Sequence, residues 1–325
     1  MGLFALTEIT SWHWAGFVAL IVLFIALDLG FFHRRAHVVQ FKEALLWSLI
    51  WFGMAILFDA WLIDARGQED ALEFLTGYLI ELSLSMDNVF VMALIFAFFR
   101  VQPAHQHRVL FWGILGALVM RGLMIGAGAA IIRAFHWMLY VMGAFLFLTG
   151  LKMVFSEGGG VEPERNIVVR LARKFFPVSN DYDGERYVTT VNGKKMLTPL
   201  MLVLLMVETT DLVFAIDSIP AIFAVTQDAF IVFTSNVFAI LGLRSLYFVL
   251  ANALGYFRFL KFGLSLVLIF IGTKMFLAPN PKVETQPWYR LEIPTSVSLT
   301  VVAAIIFVSM VASIVAVRRA KKGND

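Results

Sequence analysis

The sequence predicts an all-α polytopic membrane protein with nine transmembrane helices, in which a unit of three helices occurs twice in opposite orientations. Three observations predict this fold. Hydrophobic residues make up 60% of the 325 residues and charged residues 15%, whereas average globular chains are about 45–50% apolar and 25% charged. Nine apolar stretches are long enough to cross a bilayer, which takes about 20 residues. Three short motifs recur, in the same order, later in the chain.

The nine stretches form a single membrane domain, residues 1–325. Two N-terminal spans lie within 12–63, a first repeat covers 72–155, and an inverted second repeat covers 198–278. A cytoplasmic loop, 156–197, separates the repeats, and a C-terminal span covers 295–317. The first stretch lacks a basic leader and a cleavage site, so we interpret it as a retained helix. The predicted spans are 12–32, 42–63, 72–99, 108–132, 135–155, 198–224, 228–254, 259–278 and 295–317.

The distribution of lysine and arginine between the loops predicts the orientation in the membrane, because these residues concentrate in cytoplasmic loops. With the N-terminus outside, every inner segment carries at least two basic residues, while the outer segments keep only Arg66, Arg133, Lys282 and Arg290. The C-terminus is then in the cytoplasm, and the protein lies in the bacterial cytoplasmic (inner) membrane. The pI near 9.1 predicts a partner in the anionic inner leaflet of the lipid bilayer rather than nucleic acid.

The long inner loop has predicted structure of its own. The segment NIVVRLARKFFPV spaces apolar residues at helical intervals between basic ones, which predicts an amphipathic helix on the inner leaflet. Asn192-Gly193 lies between two runs of β-forming residues and predicts a hairpin. Thr198-Pro199 predicts the start of the sixth span, with proline in the first helical position.

The repeat is visible in three matched motifs. SMDNVFVMA around Asp87 aligns with TTDLVFAID around Asp211, and GILGALVMR, ending at Arg121, aligns with NVFAILGLR, ending at Arg244. FLTGLKM likewise aligns with IFIGTKM. Because each unit holds three spans, the second copy enters the membrane upside down. Inverted repeats are typical of secondary transporters, whose binding sites lie near the midplane where the repeats meet. We therefore expect Asp87 and Asp211 to lie close together.

Five acidic residues lie toward the middle of spans 72–99 and 198–224, and each costs roughly 2.5–3.5 kcal/mol at a helix centre. Two buried arginines offset part of this charge and leave three negative charges, which a divalent cation and a proton would balance. The ligand types are all oxygen, which favours Mg²⁺, Ca²⁺ or Mn²⁺. The predicted metal ligands are Glu81, Asp87, Asn88, Glu208, Asp211 and Asp217; possible supporting or gate residues are Asn236, Arg121, Arg244 and Asp28.

The geometry of these residues leaves alternatives open. Glu81 and Asp87 are six residues apart, as are Asp211 and Asp217, and on an unbroken helix such pairs diverge by about 240°. Convergence would require an unwound turn in the middle of the span. Asp87 and Asp211 could instead pair with the arginines, and Asn88 and Asn236 could join helices by hydrogen bonds. Asp28 could pair with a nearby arginine or act as a cytoplasmic gate.

The motifs ELSLSMDNVFV, ETTDLVFAIDSIPAIFAVTQDAFIVFTSNVFAILGLRSLYF and FPVS…GERYVTTVNGKKMLTPL resemble those of the TerC family, in particular its Alx-like branch. The resemblance covers nearly the whole chain. It implies the fold of the LysE-like transporter superfamily and export of manganese from the cytoplasm. It also implies that the six predicted ligands are the acidic motif residues of the family.

Together these features predict an exporter of divalent cations, with Mn²⁺ as the transported ion and Ca²⁺ or Mg²⁺ as less favoured ones. We expect alternating access between the two repeats, coupled to protons, with no organic cofactor and no enzymatic activity. The alternative is an accessory protein that works beside the secretion machinery in membrane-protein assembly or metalation. Metal flux through the isolated protein distinguishes the two, because the accessory role predicts none.

Overall fold

The fold is mostly α-helical, as expected. A computed structural model describes residues 10–27, 39–135, 137–155, 166–191, 193–251, 259–278, 291 and 293–322. Within these ranges there are ten helices and one two-stranded antiparallel sheet. They are α1 (Ser11–Leu27), α2 (Phe41–Arg66), α3 (Gln68–Phe98), α4 (Pro103–Ala134), α5 (Met138–Phe155), α6 (Ile167–Phe175), β1 (Val188–Val191), β2 (Lys194–Leu197), α7 (Pro199–Phe223), α8 (Ala229–Ala251), α9 (Leu260–Leu277) and α10 (Thr295–Lys322).

Seven helices are long and apolar enough to cross a membrane in the described part of the chain: α2, α3, α4, α5, α7, α8 and α10. The apolar helix at Ser11–Ala26 is shorter, and α9 covers the predicted eighth span. The structure therefore confirms a helical polytopic membrane protein, whereas the count of nine spans stays a prediction. The described helices begin and end close to the predicted spans, except that α3 and α4 begin earlier, at Gln68 and Pro103, and α10 ends later, at Lys322.

The long helices pack in a pattern that is compatible with the predicted inverted repeat, which stays a prediction. In that repeat, α3, α4 and α5 correspond to α7, α8 and α9. Helix α3 packs against α8 and α4 against α7, so each of these pairs is the counterpart of the other, and α5 packs extensively along α9. Helix α8 is the most enclosed of the candidate spans and α3 is the next. The central contact surface is thus built from α3, α4, α7 and α8.

Helices α5 and α9 cross at glycines. A Cβ atom on Gly272 would lie 2.7 Å from the carbonyl oxygen of Gly143, and one on Gly150 would lie 2.8 Å from that of Ser265. By the predicted repeat, Gly143 corresponds to Ser265 and Gly150 to Gly272, so the two close contacts are counterparts of each other. Small residues let backbones approach closely inside a membrane, where van der Waals packing drives helix association.

Replacing Gly272 with alanine should therefore destabilise the protein by about 1–3 kcal/mol, because the new methyl group would overlap backbone atoms of α5. The measurement is the melting temperature of the detergent-solubilised protein. Gly126→Ala in α4 is the matched control, since nothing lies within 4 Å of its would-be Cβ. An equal melting temperature for both variants would contradict the close crossing.

The predicted hairpin in the inner loop is present and attaches to the junction between α3 and α4. Strand β1 pairs with β2, and the Tyr182 hydroxyl donates a hydrogen bond to the Phe99 carbonyl oxygen over 2.7 Å. The Tyr187 hydroxyl donates to the carbonyl oxygen of Arg108 over 3.2 Å. Burial raises the pKa of Tyr187 to about 12, which keeps its hydroxyl protonated as the donor. The hairpin is thus a cap on this end of the bundle.

Thr198 precedes α7 as predicted, but its side chain does not cap the helix. Its hydroxyl instead donates to the Arg186 carbonyl oxygen over 2.7 Å, and Pro199 leaves the start of the helix with one fewer unpaired N–H group. The residue therefore fastens the cap to the start of α7.

Candidate functional site

Three buried polar residues of α3 lie on one face of the helix. Glu81, Ser85 and Asn88 are spaced by four and three residues, which places them above one another on an α-helix. Their exposures are 0%, 0% and 2%. Helix α3 continues without a break from Gln68 to Phe98. This face is directed into the contact with α4, α7 and α8.

Helix α7 presents Asp211 and Ser218 from the opposite side of the same space. They are two turns apart on one face, with exposures of 3% and 1%. The hydroxyls of Thr209 and Thr210 donate to the carbonyl oxygens of Leu205 and Met206, over 2.6 and 2.7 Å. These bonds satisfy the hydroxyls within the helix turn. Helix α7 stays helical through Asp217, so the unwound turns that would bring all the carboxylates together are not formed in either span.

Arg121 of α4 is the centre of the site and is only 1% exposed. Its guanidinium donates to both carboxylate oxygens of Asp211, from Nε over 3.4 Å and from Nη2 over 3.2 Å. Nη1 forms an ion pair with Glu81 and also lies 3.2 Å from the Ser218 hydroxyl and from Asn236 Oδ1. One guanidinium therefore joins residues of α3, α7 and α8, with a two-point contact to Asp211 that fixes its orientation.

Two asparagines complete the network. Asn236 of α8, which is 0% exposed, donates from Nδ2 to Glu81 over 3.1 Å. Asn88 donates from Nδ2 to Asp211 over 3.4 Å. We call the six residues Glu81, Asn88, Arg121, Asp211, Ser218 and Asn236 the central cluster. It holds two carboxylates against one guanidinium, so one formal negative charge remains when all three are ionised.

Several buried oxygen atoms on α3 have no hydrogen-bond partner in the described ranges. They are Oδ1 of Asn88 and the hydroxyls of Ser83 and Ser85, all buried. A buried polar atom without a partner costs roughly 1–3 kcal/mol. Ser85 and Asn88 share the face of α3 that carries Glu81, so their free oxygens lie on the side of the helix that faces the carboxylates.

Among the other predicted ligands, Asp87 and Asp217 form no hydrogen bond with the central cluster in the described ranges, whereas Glu208 lies beside it. Asp87 is partly buried, and the charge that acts on it is that of Lys261; Asp217 is influenced by Lys152. The predicted meeting of α3 and α7 therefore occurs through Asn88 rather than Asp87. Glu208 is close enough to Asp211 for their charges to interact, and its carboxylate occupies the space beside Gly116 that a side chain there would fill.

Of the predicted supporting residues, Arg121 and Asn236 belong to the central cluster and Arg244 is buried in α8, with an exposure of 9%. Asp28 lies outside the described residues. Across the ranges that the structure does describe, no three or more acidic, histidine or cysteine residues are grouped closely enough to hold a metal ion. In this conformation Arg121, rather than a set of carboxylates, takes the central position.

Sequence reasoning missed Ser218. Its signal was its position, because it follows Asp211 by seven residues and therefore shares the face of α7 that carries the carboxylate. The same spacing links Glu81 to Asn88 on α3. A search for polar residues two turns from each acidic residue would have found both pairs.

The chain is similar over most of its length to known membrane proteins. The profile of the integral membrane protein TerC family matches residues 66–322. An uncharacterized membrane protein of Myxococcus xanthus, STKORF319, is 51% identical over 307 residues, covering 94% of this chain and 93% of the relative. Alx of Escherichia coli K12, named as a proposed membrane-bound redox modulator, is 44% identical over 311 residues, covering 92% of each chain. No solved structure matches this chain.

Proposed function

Because this chain belongs to the TerC family of integral membrane proteins, we propose that it exports divalent cations, with Mn²⁺ as the preferred ion. The observation that carries this proposal is a pair of buried carboxylates, Glu81 and Asp211, contributed by two different helices. Beside them lie the buried oxygens of Ser85 and Asn88, which form no hydrogen bond in the described ranges. Oxygen ligands of this kind suit Mn²⁺, Mg²⁺ and Ca²⁺.

Burial of the two carboxylates favours transport over a structural role. Each costs about 2.5–3.5 kcal/mol in the middle of a membrane, and an apolar pair would join α3 to α7 without that cost. Intramembrane acidic residues that face a bundle interior characteristically mark ion pathways. The reciprocal packing of α3 with α8 and of α4 with α7 supports alternating access, since it gives the bundle two related halves that can rock against each other.

Arg121 acts in this proposal as a tethered cation. Its guanidinium pairs with both Glu81 and Asp211 when no metal is bound and offsets one of their two negative charges, which lowers the cost of a change of conformation in the empty carrier. When Arg121 moves away from the two carboxylates, a divalent ion takes its place as their positive counter-charge. Metal and guanidinium thus compete for the same carboxylates, and the affinity for metal is lower than the carboxylates alone would give.

Asp87 enters the site in a second conformation. It precedes Asn88 by one residue, which is about 100° around the helix axis. A rearrangement of the α3 backbone confined to this turn exchanges Asn88 for Asp87 in front of Asp211, keeps Glu81 in place and adds a carboxylate as Arg121 leaves. This exchange accounts for a predicted ligand that lies outside the central cluster here.

Transport by the purified protein is the direct test. Wild-type protein in liposomes should carry Mn²⁺ down its gradient, measured with an internal metal-sensitive dye, and empty liposomes give the background. Parallel measurements with Mg²⁺, Ca²⁺ and Zn²⁺ establish the selectivity for the transported ion. Flux at background for every ion would overturn the proposal and favour the accessory role in membrane-protein assembly or metalation. A thiol-based redox activity, which the name of the Alx relatives could suggest, has no basis here because the chain contains no cysteine.

Protons should compete with the metal, because ligands release protons when a metal binds. The charged groups at the site are Glu81, Glu208, Asp211 and Arg121. We expect the apparent affinity for Mn²⁺ to fall as the pH is lowered from about 8 to 6, and an inwardly directed proton gradient to accelerate export. The measurement is flux at clamped voltage, with a matched sodium gradient as the control. Flux that ignores both the pH and the proton gradient would exclude proton coupling.

The distribution of basic residues supports an orientation with the N-terminus outside and the C-terminus in the cytoplasm, in the inner membrane. A reporter enzyme that works only in the cytoplasm should then be active when it is fused after Asp325. A reporter enzyme that works only outside the cytoplasm should be active when it is inserted at Gln68–Asp70. The two fusions control for each other, and equal behaviour would contradict the orientation.

A further inference from the structure

Helix α6 forms a surface that the transport mechanism does not use. Its start is fixed by the side chain of Asn166, whose Oδ1 accepts hydrogen bonds from the backbone N–H groups of Val168 (3.0 Å) and Val169 (3.1 Å). It ends at Phe175, two residues before Pro177. The helix packs against α7, which begins the second half of the bundle.

The side chains of α6 divide its circumference into three faces. Val169 and Ala172 are buried, with exposures of 3% and 8%, in the apolar cluster that also contains Leu200 and Val203 of α7. The next face carries Ile167, Leu171 and Phe175, with exposures of 69%, 45% and 69%. We call these three residues the apolar stripe. The third face is basic and exposed, with Arg170, Arg173 and Lys174.

The apolar stripe needs an environment other than water. Its residues recur every four positions and therefore form one continuous patch. Phe176, which follows the helix, is also exposed, at 57%. The location of the apolar stripe identifies the occupant. Val169 and Ala172 pack against the first turns of α7, a helix that qualifies as a membrane span from Pro199 onward. Helix α6 therefore lies at the same depth as the start of the α7 span, where the bilayer begins.

From this position and charge we propose that α6 is a lipid-binding helix: the apolar stripe lies at the boundary of the headgroups and acyl chains, and the three basic residues bind anionic phosphates. Interfacial helices combine an apolar face with a lysine- and arginine-rich one. A basic residue near an anionic surface gains about 1 kcal/mol. Lysine and arginine can also lay their alkyl stems along the apolar stripe while the charge reaches the headgroups. The occupant is thus an anionic leaflet.

This surface is connected to the α3–α4 junction. The segment that follows α6, residues 177–191 and 193–198, contains the hairpin, and its Tyr182 donates a hydrogen bond to the Phe99 carbonyl oxygen at the end of α3. A change in how deeply α6 sits in the lipid therefore reaches the end of α3 through a short, hydrogen-bonded segment. The lipid site does not depend on the proposed transport function, because it rests on α6 alone.

The absence of cysteine in the chain makes the test clean. Single variants Leu171→Cys and Phe175→Cys report on the apolar stripe, and Arg170→Cys and Arg173→Cys are matched controls on the basic face. Each full-length variant carries a spin label and is reconstituted into phosphatidylcholine, alone or mixed equally with phosphatidylglycerol. The measurements are collision rates of the label with oxygen, which concentrates in lipid, and with a water-soluble nickel chelate.

We expect the ratio of oxygen to nickel collisions at positions 171 and 175 to exceed that at 170 and 173 by about twofold or more in the mixed lipid. A variant with Arg170, Arg173 and Lys174 all changed to Gln should lose the difference between the two lipid compositions. Equal nickel access at all four positions would overturn the proposal, because the stripe would then face water. Access to neither reagent, with spin–spin broadening that disappears on dilution with unlabelled protein, would assign the stripe to a second copy of the chain.

Discussion

Asp211→Asn is expected to reduce Mn²⁺ flux by about 100-fold or more while leaving the protein folded. The substitution keeps the size of the side chain and removes the charge that binds both the metal and Arg121. Changing even an outer partner of a metal ligand typically costs 10- to 100-fold in affinity, and Asp211 is proposed as a direct ligand. The measurements are flux in liposomes and manganese tolerance of a host that lacks its own exporter, at matched protein levels.

Two companion variants sharpen this result. Asp64→Asn changes an exposed acidic residue of α2 and should transport normally, which controls for loss of charge in a membrane helix. Asp87→Asn should also abolish tolerance, although Asp87 lies outside the central cluster, because the proposed rearrangement of α3 brings it to the metal. Normal tolerance in both Asp87→Asn and Asp211→Asn would sink the site assignment, and normal tolerance in Asp87→Asn alone would contradict the proposed rearrangement of α3.

The second large effect concerns Arg121. Arg121→Gln leaves Glu81 and Asp211 buried, both at or below 3% exposure, without their counter-charge. Breaking a buried ion pair by removing one partner costs about 3–5 kcal/mol. We therefore expect a large fall in melting temperature in the absence of metal. Mn²⁺ should restore stability in this variant more strongly than in the wild type, because the metal no longer competes with a guanidinium.

Three controls separate this effect from simple unfolding. The double variant Arg121→Gln with Glu81→Gln removes a charge of each sign and should recover most of the stability but not the flux. Arg121→Lys keeps the charge but loses the two-point contact with Asp211, and should be intermediate. Arg108→Gln breaks a half-exposed pair with Glu185 and should cost less than about 1 kcal/mol. An Mn²⁺-induced stabilisation of Arg121→Gln no larger than that of the wild type would contradict competition between metal and guanidinium.

Most of the helical architecture could be predicted because apolar length and basic loops act locally along the chain. The apolar runs marked every long helix, and Asn192-Gly193 marked the hairpin. The same principles could not say whether Thr209 and Thr210 would open α7 or bond back to its own turns. That choice decides whether residues six apart converge, and it is made by hydrogen bonds that the sequence pattern leaves open.

The composition of the central cluster was only partly predictable, for a related reason. Burial and charge pointed to Glu81, Asp211 and Arg121, since each is too costly to leave unpaired in a membrane. Which neighbour satisfies them depends on the rotation of each helix about its axis. The sequence therefore placed Asp87 where the structure has Asn88, and it treated Arg121 as a possible support where the structure has it at the centre.

The glycine crossing of α5 and α9 has a consequence for biosynthesis. Helix α5 is complete at Phe155, whereas its partner α9 is complete only at Leu277. At about 5–20 residues per second, a ribosome needs on the order of 10 s to make the segment between them. During that interval Gly143 and Gly150 have no backbone to pack against, and α5 has to be sheltered by lipid or by the insertion apparatus. The packing of the first repeat is therefore completed only when the second repeat has been made. A nascent chain that ends before α9 leaves α5 without its packing partner.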